Sequence, residues 1–364
     1  MAKKKPNYKF RRNLAKAFLV LIIIIPIILI NRVKLAHLPL YLSNTKYTDI
    51  IDAMFEVQYT GSEAKNTLNY LKEKKKINDN TDDYILKLYD KGYNKNTIDY
   101  LIRNLNKSQI TDFLDKKYSK DFEEYIKLDL FKYSKYNRYI KYQEKHKDLS
   151  LEDVVIRIEL NMDKTYYEDS EFIKNPDEIT TLANKYYEIP EDYEPKDLVD
   201  MEDDYANNMY GTLTLRKEAY EKFKEMCNAS RKDGVKFYAE SAYRGYNYQN
   251  IIYKNYIDEN GQEKADKYAA RPGFSEHELG LALDLANIWT ITTKGEEYKW
   301  LTKNAYKYGY IIRYKKEWED ITGYSAESWH IRYVGIKAAS VIQKENITYE
   351  EYYAKYILTK KSSK

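Results

Sequence analysis

The stretch Ser275-Glu276-His277-Glu278-Leu279-Gly280-Leu281-Ala282-Leu283-Asp284 decides the reading, and Glu327-Ser328-Trp329-His330 completes it. The chain has four histidines, and these two stretches hold two of them. His277, Asp284 and His330 make a two-imidazole, one-carboxylate set, which suits a zinc ion that keeps an open fourth position. Glu327 stands three residues before His330, where an acid can move protons to and from a water at the metal. Around Asp284 the sequence alternates with period two: Leu279, Leu281, Leu283 and Leu285 on one face, Gly280, Ala282 and Asp284 on the other. The leucine face suits a core, and the small face leaves room beside the acid.

Working outward, Val154, Ile156, Ile158 and Leu160 alternate, and the stretch Leu151 to Leu160 reads as a strand. A helix is predicted from about Arg216 to Lys232, stopped by Gly234. Val235, Phe237, Ala239 and Ser241 alternate as a second strand, which leads to Ser241-Ala242-Tyr243-Arg244-Gly245-Tyr246 and a helix through about Tyr256. Tyr298, Leu301, Thr302 and Ala305 have helical spacing. Strands follow at Tyr310 to Tyr314 and Ile331 to Val334, then a helix from about Ile336. Helices flanking a mostly antiparallel sheet define an α+β class.

The 364 residues leave room for roughly two domains. Hydrophobic residues make up 43%, including 41 tyrosines, so the chain is expected to fold. A net charge of +4 gives no reason to expect a nucleic-acid partner. The single cysteine, Cys227, excludes an internal disulfide and any multi-cysteine metal site. It shares a helical face with Ala219, Phe223 and Met226 and reads as a buried, inert thiol.

Residues 1–13 form a basic tail, and Lys16 adds a further cation. Ala17 to Ile30 is an unbroken apolar run, about 21 Å long as a helix. Extended over 14–36 it reaches a full span, with Lys16 and Arg32 placed to snorkel. A secretory signal peptide has a similar pattern, but Val33-Lys34-Leu35-Ala36-His37 is a poor cleavage site. An uncleaved transmembrane signal anchor is therefore expected, with the N-terminus cytoplasmic and the remainder extracytoplasmic.

Residues 44–150 are polar and helically spaced, and read as a helical spacer or interaction region. Lys91-Gly92-Tyr93-Asn94 and Lys116-Lys117-Tyr118-Ser119 open two similar blocks, each before an amphipathic segment. His146 reads as a solvated surface residue.

The region 151–364 resembles the VanY-type zinc D-alanyl-D-alanine carboxypeptidases, which share a core with the VanX-type dipeptidases. The family's Ser-x-His-x-x-Gly-x-Ala-x-Asp is matched at every fixed position from Ser275 to Asp284. Its Glu-x-x-His is matched by Glu327 to His330, continuing as Ile331-Arg332-Tyr333-Val334-Gly335. Its Ser-x-Tyr-Arg-Ser-x-x-x-Gln appears as Ser241 to Gln249, with Gly245 in place of the second serine. The resemblance implies that Zn2+ is held by His277, Asp284 and His330, and that Glu327 is the general base. It implies that Arg244 binds the substrate's terminal carboxylate, with Ser275 and Gln249 as further substrate contacts. The implied activity is removal of the terminal D-Ala from peptidoglycan stem peptides. An L,D-carboxypeptidase acting on tetrapeptide stems and a non-catalytic wall-binding protein are the alternatives. Glu276 and Glu278 are not motif positions and read as solvated or as standing behind the ligands, and Trp329 as core or pocket wall.

Overall fold

The computed structural model describes residues 32–209, 211–285 and 292–359. The basic tail and nearly all of the predicted anchor lie outside these residues; residues 32–36 are helical. Among the described residues no helix is long and apolar enough to cross a membrane.

The chain forms two compact units, Met1–Lys127 and Leu128–Lys364. In the first, short helices run Thr48–Glu56, Gly61–Glu73, Thr81–Asp90, Lys95–Asn104, Lys107–Asp115 and Lys120–Tyr125. Their starts are written in the sequence. Thr60 with Glu63 and Asn106 with Gln109 form reciprocal capping boxes, and Asn94 and Ser119 cap the helices that follow them. Each such cap contributes about 1 kcal/mol. The two similar blocks thus end on N-caps, Asn94 and Ser119. The apolar positions Ile51, Met54, Leu68, Leu71, Ile85, Leu88, Ile98 and Leu101 are fully buried, so this unit has a core of its own.

The second unit contains eight short strands among the described residues: β1 (Glu171–Phe172), β2 (Tyr187–Glu188), β3 (Leu198–Asp200), β4 (Thr214–Arg216), β5 (Ala239–Ser241), β6 (Ala282–Leu285), β7 (Tyr310–Tyr314) and β8 (Glu327–Tyr333). The main sheet has the order β5-β6-β8-β7, antiparallel throughout. Its helices include Lys217–Lys232, Tyr246–Asn260, Glu296–Asn304 and Ile336–Glu345, close to the predicted positions. Leu279, Leu281, Leu283 and Leu285 face a core that also holds Phe223, Cys227, Tyr310 and Ile331. Cys227 is free and buried, as its helical face indicates.

The strand expected over 151–160 is a helix, Leu151–Glu159. The alternation of Val154, Ile156 and Ile158 is incomplete because Val155 is apolar and equally buried. Val154, Val155 and Ile158 then share a helical face, and the Ser150 side chain accepts from the Asp153 N–H to start the turn. The helix Tyr136–Lys145 belongs to this second unit. Its Tyr139 hydroxyl donates to Glu159 (2.8 Å) and its Arg138 pairs with Asp163. His146 is half-buried rather than solvated, stacked on Tyr142 at 4.0 Å between ring centres.

Candidate metal and catalytic centre

Strand register builds most of the site. In the antiparallel β6–β8 pair Asp284 lies directly opposite His330, and in the β5–β6 pair it lies opposite Ser241. His277 arrives from the loop before β6, on the 3-10 turn Glu276–Leu279. The Ser275 hydroxyl accepts from the His277 N–H (3.3 Å), and the Glu278 carboxylate accepts from the Ser275 N–H (3.2 Å). Gly280 ends that turn at φ 63, a left-handed conformation that a side chain resists. There the chain reverses direction and starts β6.

The imidazoles are oriented differently. His277 Nδ1–H donates to the Ala242 carbonyl (2.7 Å), which leaves Nε2 facing the Asp284 carboxylate at 3.3 Å. His330 presents Nδ1 to Asp284 at 3.1 Å, and its Nε2 lies 3.5 Å from Glu276. One ligand atom from each of His277, Asp284 and His330 can be chosen so that all lie within 4.8 Å of one another. His277 and His330 are almost fully buried. Two imidazole nitrogens and a carboxylate oxygen converging in the interior are the donor set of a zinc site with an open position. The residues fit that ion.

The electrostatics follow from burial and neighbours. Burial, together with the Arg244 charge, lowers His277 to about 4, so it is neutral and able to donate a lone pair at neutral pH. Burial would lower His330 too, but hydrogen bonds to Asp284 and Glu276 and nearby carboxylate charge outweigh it and raise the group to about 9. Burial would raise Asp284, yet His277, Arg244 and the imidazole hydrogen bonds hold it well below the usual carboxylate range. Glu327 is raised to about 7, chiefly by burial. Its carboxylate stands 3.6 Å from His330 Nδ1. A carboxylate near 7 is poised to exchange protons at neutral pH.

The remaining predicted residues gather at one cavity of about 260 Å³, lined by Arg244, Gln249, Ser275, Glu327, Tyr256 and Trp329 beside the three donors. Arg244 Nε donates to the Ser241 hydroxyl (2.8 Å), and its other arm pairs with Asp284. Gln249 is buried; its Nε2 donates to the Ala270 carbonyl (2.8 Å), while its Oε1 has no hydrogen-bond partner among the described residues. Trp329 is pocket wall, as expected. Glu276 and Glu278 are both buried, so of the two expected places the solvated one is excluded, and Glu276 takes the other, behind a candidate ligand. Glu278 caps the loop, and Glu276 stands behind His330 in contact with Arg313 (2.8 Å). Sequence reasoning missed Arg313 and Glu350, which pair in the interior. The one available signal was a cation inside the apolar run Tyr310-Ile311-Ile312-Arg313-Tyr314, since a charge there requires a buried partner.

Known proteins resemble this chain over part of its length. A family model for VanY, D-alanyl-D-alanine carboxypeptidase, matches residues 212–336. YodJ of Bacillus subtilis (strain 168), provisionally named a carboxypeptidase, is 42% identical over 211 residues, covering 54% of this chain and 77% of that protein. A D-alanyl-D-alanine carboxypeptidase of Enterococcus faecium is 36% identical over 177 residues, covering 47% of this chain and 56% of that protein. The solved structure of the LdcB LD-carboxypeptidase is 42% identical, with a TM-score of 0.48 over 52% of this chain and 92% of that one. From its three motifs, the family-model match over residues 212–336 and the relative YodJ, covered over 77% of its length, the chain belongs to the VanY family.

Proposed function

We propose that the chain is a zinc D,D-carboxypeptidase that removes the terminal D-Ala from peptidoglycan stem peptides, working outside the membrane from an N-terminal anchor. The observation that carries this is Glu327, a half-buried carboxyl 3.6 Å from His330 Nδ1 and raised to about 7 beside the His277–Asp284–His330 donor set. Zinc bound by those three residues would polarise the scissile carbonyl and make an attacking water more acidic. Glu327 takes the proton from that water and returns it to the departing D-Ala amine, a role typically contributing roughly 10²–10⁴-fold. Arg244 grips the substrate's terminal carboxylate through its planar guanidinium. That guanidinium pairs with Asp284 and donates to Ser241, which hold it at the cavity. The unpartnered Gln249 Oε1 accepts a substrate amide N–H. Ser275 shapes the loop that carries His277, and it also borders the cavity. The apolar run Ala17 to Ile30, preceded by cations, supports the anchor and the extracytoplasmic location, where this substrate lies.

The test uses the purified full chain, loaded with zinc. It would be incubated with a pentapeptide ending in D-Ala-D-Ala and with a tetrapeptide ending in one D-Ala, with and without chelator, beside Glu327→Gln. Loss of one D-Ala from the pentapeptide, abolished by chelator and by the substitution, is the expected result. Cleavage of the tetrapeptide alone would move the assignment to an L,D-carboxypeptidase, the activity for which LdcB is named. A folded, zinc-loaded sample that cuts neither peptide would refute the enzyme reading for these substrates.

A further inference from the structure

Behind His330 lies a closed group of four buried charges: Glu276, Arg313, Arg332 and Glu350. Arg313 forks onto Glu350, with Nη1 to Oε2 at 2.9 Å and Nη2 to Oε1 at 2.6 Å, and its Nε donates to Glu276 Oε1 at 2.8 Å. Arg332 Nη1 lies 3.7 Å from the same Glu276 oxygen, while its other nitrogens donate to the carbonyls of Tyr333, Ile179 and Thr181. Glu276 Oε2 is left facing His330 Nε2 at 3.5 Å, and among the described residues neither atom has a hydrogen-bond partner. The Asn184 side chain donates to Glu350 at 3.3 Å. Glu350 sits on the short C-terminal helix Tyr349–Tyr352, beyond the stretch 212–336 matched by the family model.

We propose that Glu350 is a positioning residue for the metal centre, acting through Arg313 and Glu276 on the orientation of His330. The inference rests on the metal reading given above. A carboxylate behind the far nitrogen of a ligating histidine fixes its ring and tautomer. Here that carboxylate is shared, because Glu276 also serves two arginines. With Glu350 in place the group holds two cations and two anions. Without it, Glu276 is the one carboxylate left in the group for both guanidiniums, and their attraction draws it away from His330. An unpaired buried charge is costly enough that the group rearranges. The segment beyond the family match thus sets how well a family ligand is aimed.

The test measures zinc affinity of the full chain by competition with a chromogenic chelator, for wild type, Glu276→Gln, Glu350→Gln and the double variant. Far-UV circular dichroism and urea unfolding of the zinc-free proteins run alongside. Glu276→Gln should weaken zinc binding roughly 10–100-fold. Glu350→Gln should weaken it by roughly 3–30-fold, and the double variant should be no worse than Glu276→Gln alone, because the two act through one route. Arg313→Lys keeps the charge but cannot bridge both carboxylates, and should weaken zinc in the same direction; it stands in if Glu350→Gln does not fold. Tyr310→Phe, which removes a core hydrogen bond to the Ala219 carbonyl, should lower stability and leave zinc affinity unchanged. Glu350→Gln within twofold of wild type, or effects of the two single variants that add, would overturn the proposal. A wild-type chain that binds no zinc would instead overturn the metal reading itself.

Discussion

Replacing Gly280 by Ala tests how the motif glycine serves the site. At φ 63 an alanine is strained by about 1–2 kcal/mol. Its Cβ would also meet Arg216 Cγ and Leu198 Cδ2 at 3.0 Å and Pro195 Cγ at 3.3 Å. Arginine and leucine side chains can yield by tenths of an ångström, but the proline ring is stiff, so crowding adds about 1–3 kcal/mol. The expected loss is therefore about 2–5 kcal/mol, read as a lower urea midpoint at unchanged slope. Gly234→Ala supplies the reference. Gly234 also has a positive φ, of 79, but a Cβ there meets nothing within 4 Å, so it reports the backbone cost alone. Gly280→Ala should exceed it by at least about 1 kcal/mol. It should also weaken zinc binding, because the Gly280 N–H donates to the His277 carbonyl and its own carbonyl accepts from the Arg216 N–H. Equal losses in the two variants would refute the packing argument. An unchanged midpoint for Gly280→Ala would refute the conformational one as well.

Other outcomes can be checked directly. Burial raises the Cys227 thiol to about 12, so the folded protein should not react with a disulfide reagent at pH 8, whereas the unfolded chain should react at once. Leu283→Ala should cost about 2–5 kcal/mol in urea unfolding, as a fully buried strand residue. Ser275→Ala should cost about 0.5–2 kcal/mol through loss of the cap on the His277 turn; a fall in kcat/KM with no stability loss would instead make Ser275 purely a substrate contact. Lys185 is buried among tyrosines, and its ammonium donates to the Asp266 and Gly323 carbonyls at 2.7 and 2.6 Å. Burial lowers it from 10.5 to about 8, so between these values the unfolded chain holds more protons than the folded one, and stability from this residue rises with pH. Measured against Lys185→Met, wild type should gain about 2 kcal/mol from pH 7.5 to 9.5; a flat difference would refute the shift.

The centre was legible because its logic is local. Period-two alternation put Asp284 on the small face of a strand, and the motifs supplied two histidines and an acid that the β6–β8 register then brought side by side. Residues 151–160 misled because β-branched residues at alternating positions outweighed Val155, whose burial only a helix explains. Arg313 and Glu350, and their link to Glu276, escaped notice for a different reason. A charged residue in a sequence ordinarily marks solvent, and only the folded chain shows that three elements far apart in sequence neutralise one another. Residues 44–127 were legible as helices through their spacing, but the sequence reading did not show that they close around a core of their own.

The two histidines of the centre are held by supports of different kinds, and this bears on how the site can change by mutation. The acceptor that fixes His277 is the Ala242 carbonyl, a main-chain atom that every amino acid at that position would still provide. No single substitution deletes it. The corresponding neighbour of His330 is the Glu276 side chain, which one nucleotide change can remove or shorten. One imidazole is therefore insulated from mutation and the other exposed to it. Variation in metal affinity among descendants of this chain should accumulate on the His330 side, while the orientation of His277 stays fixed as long as the fold does.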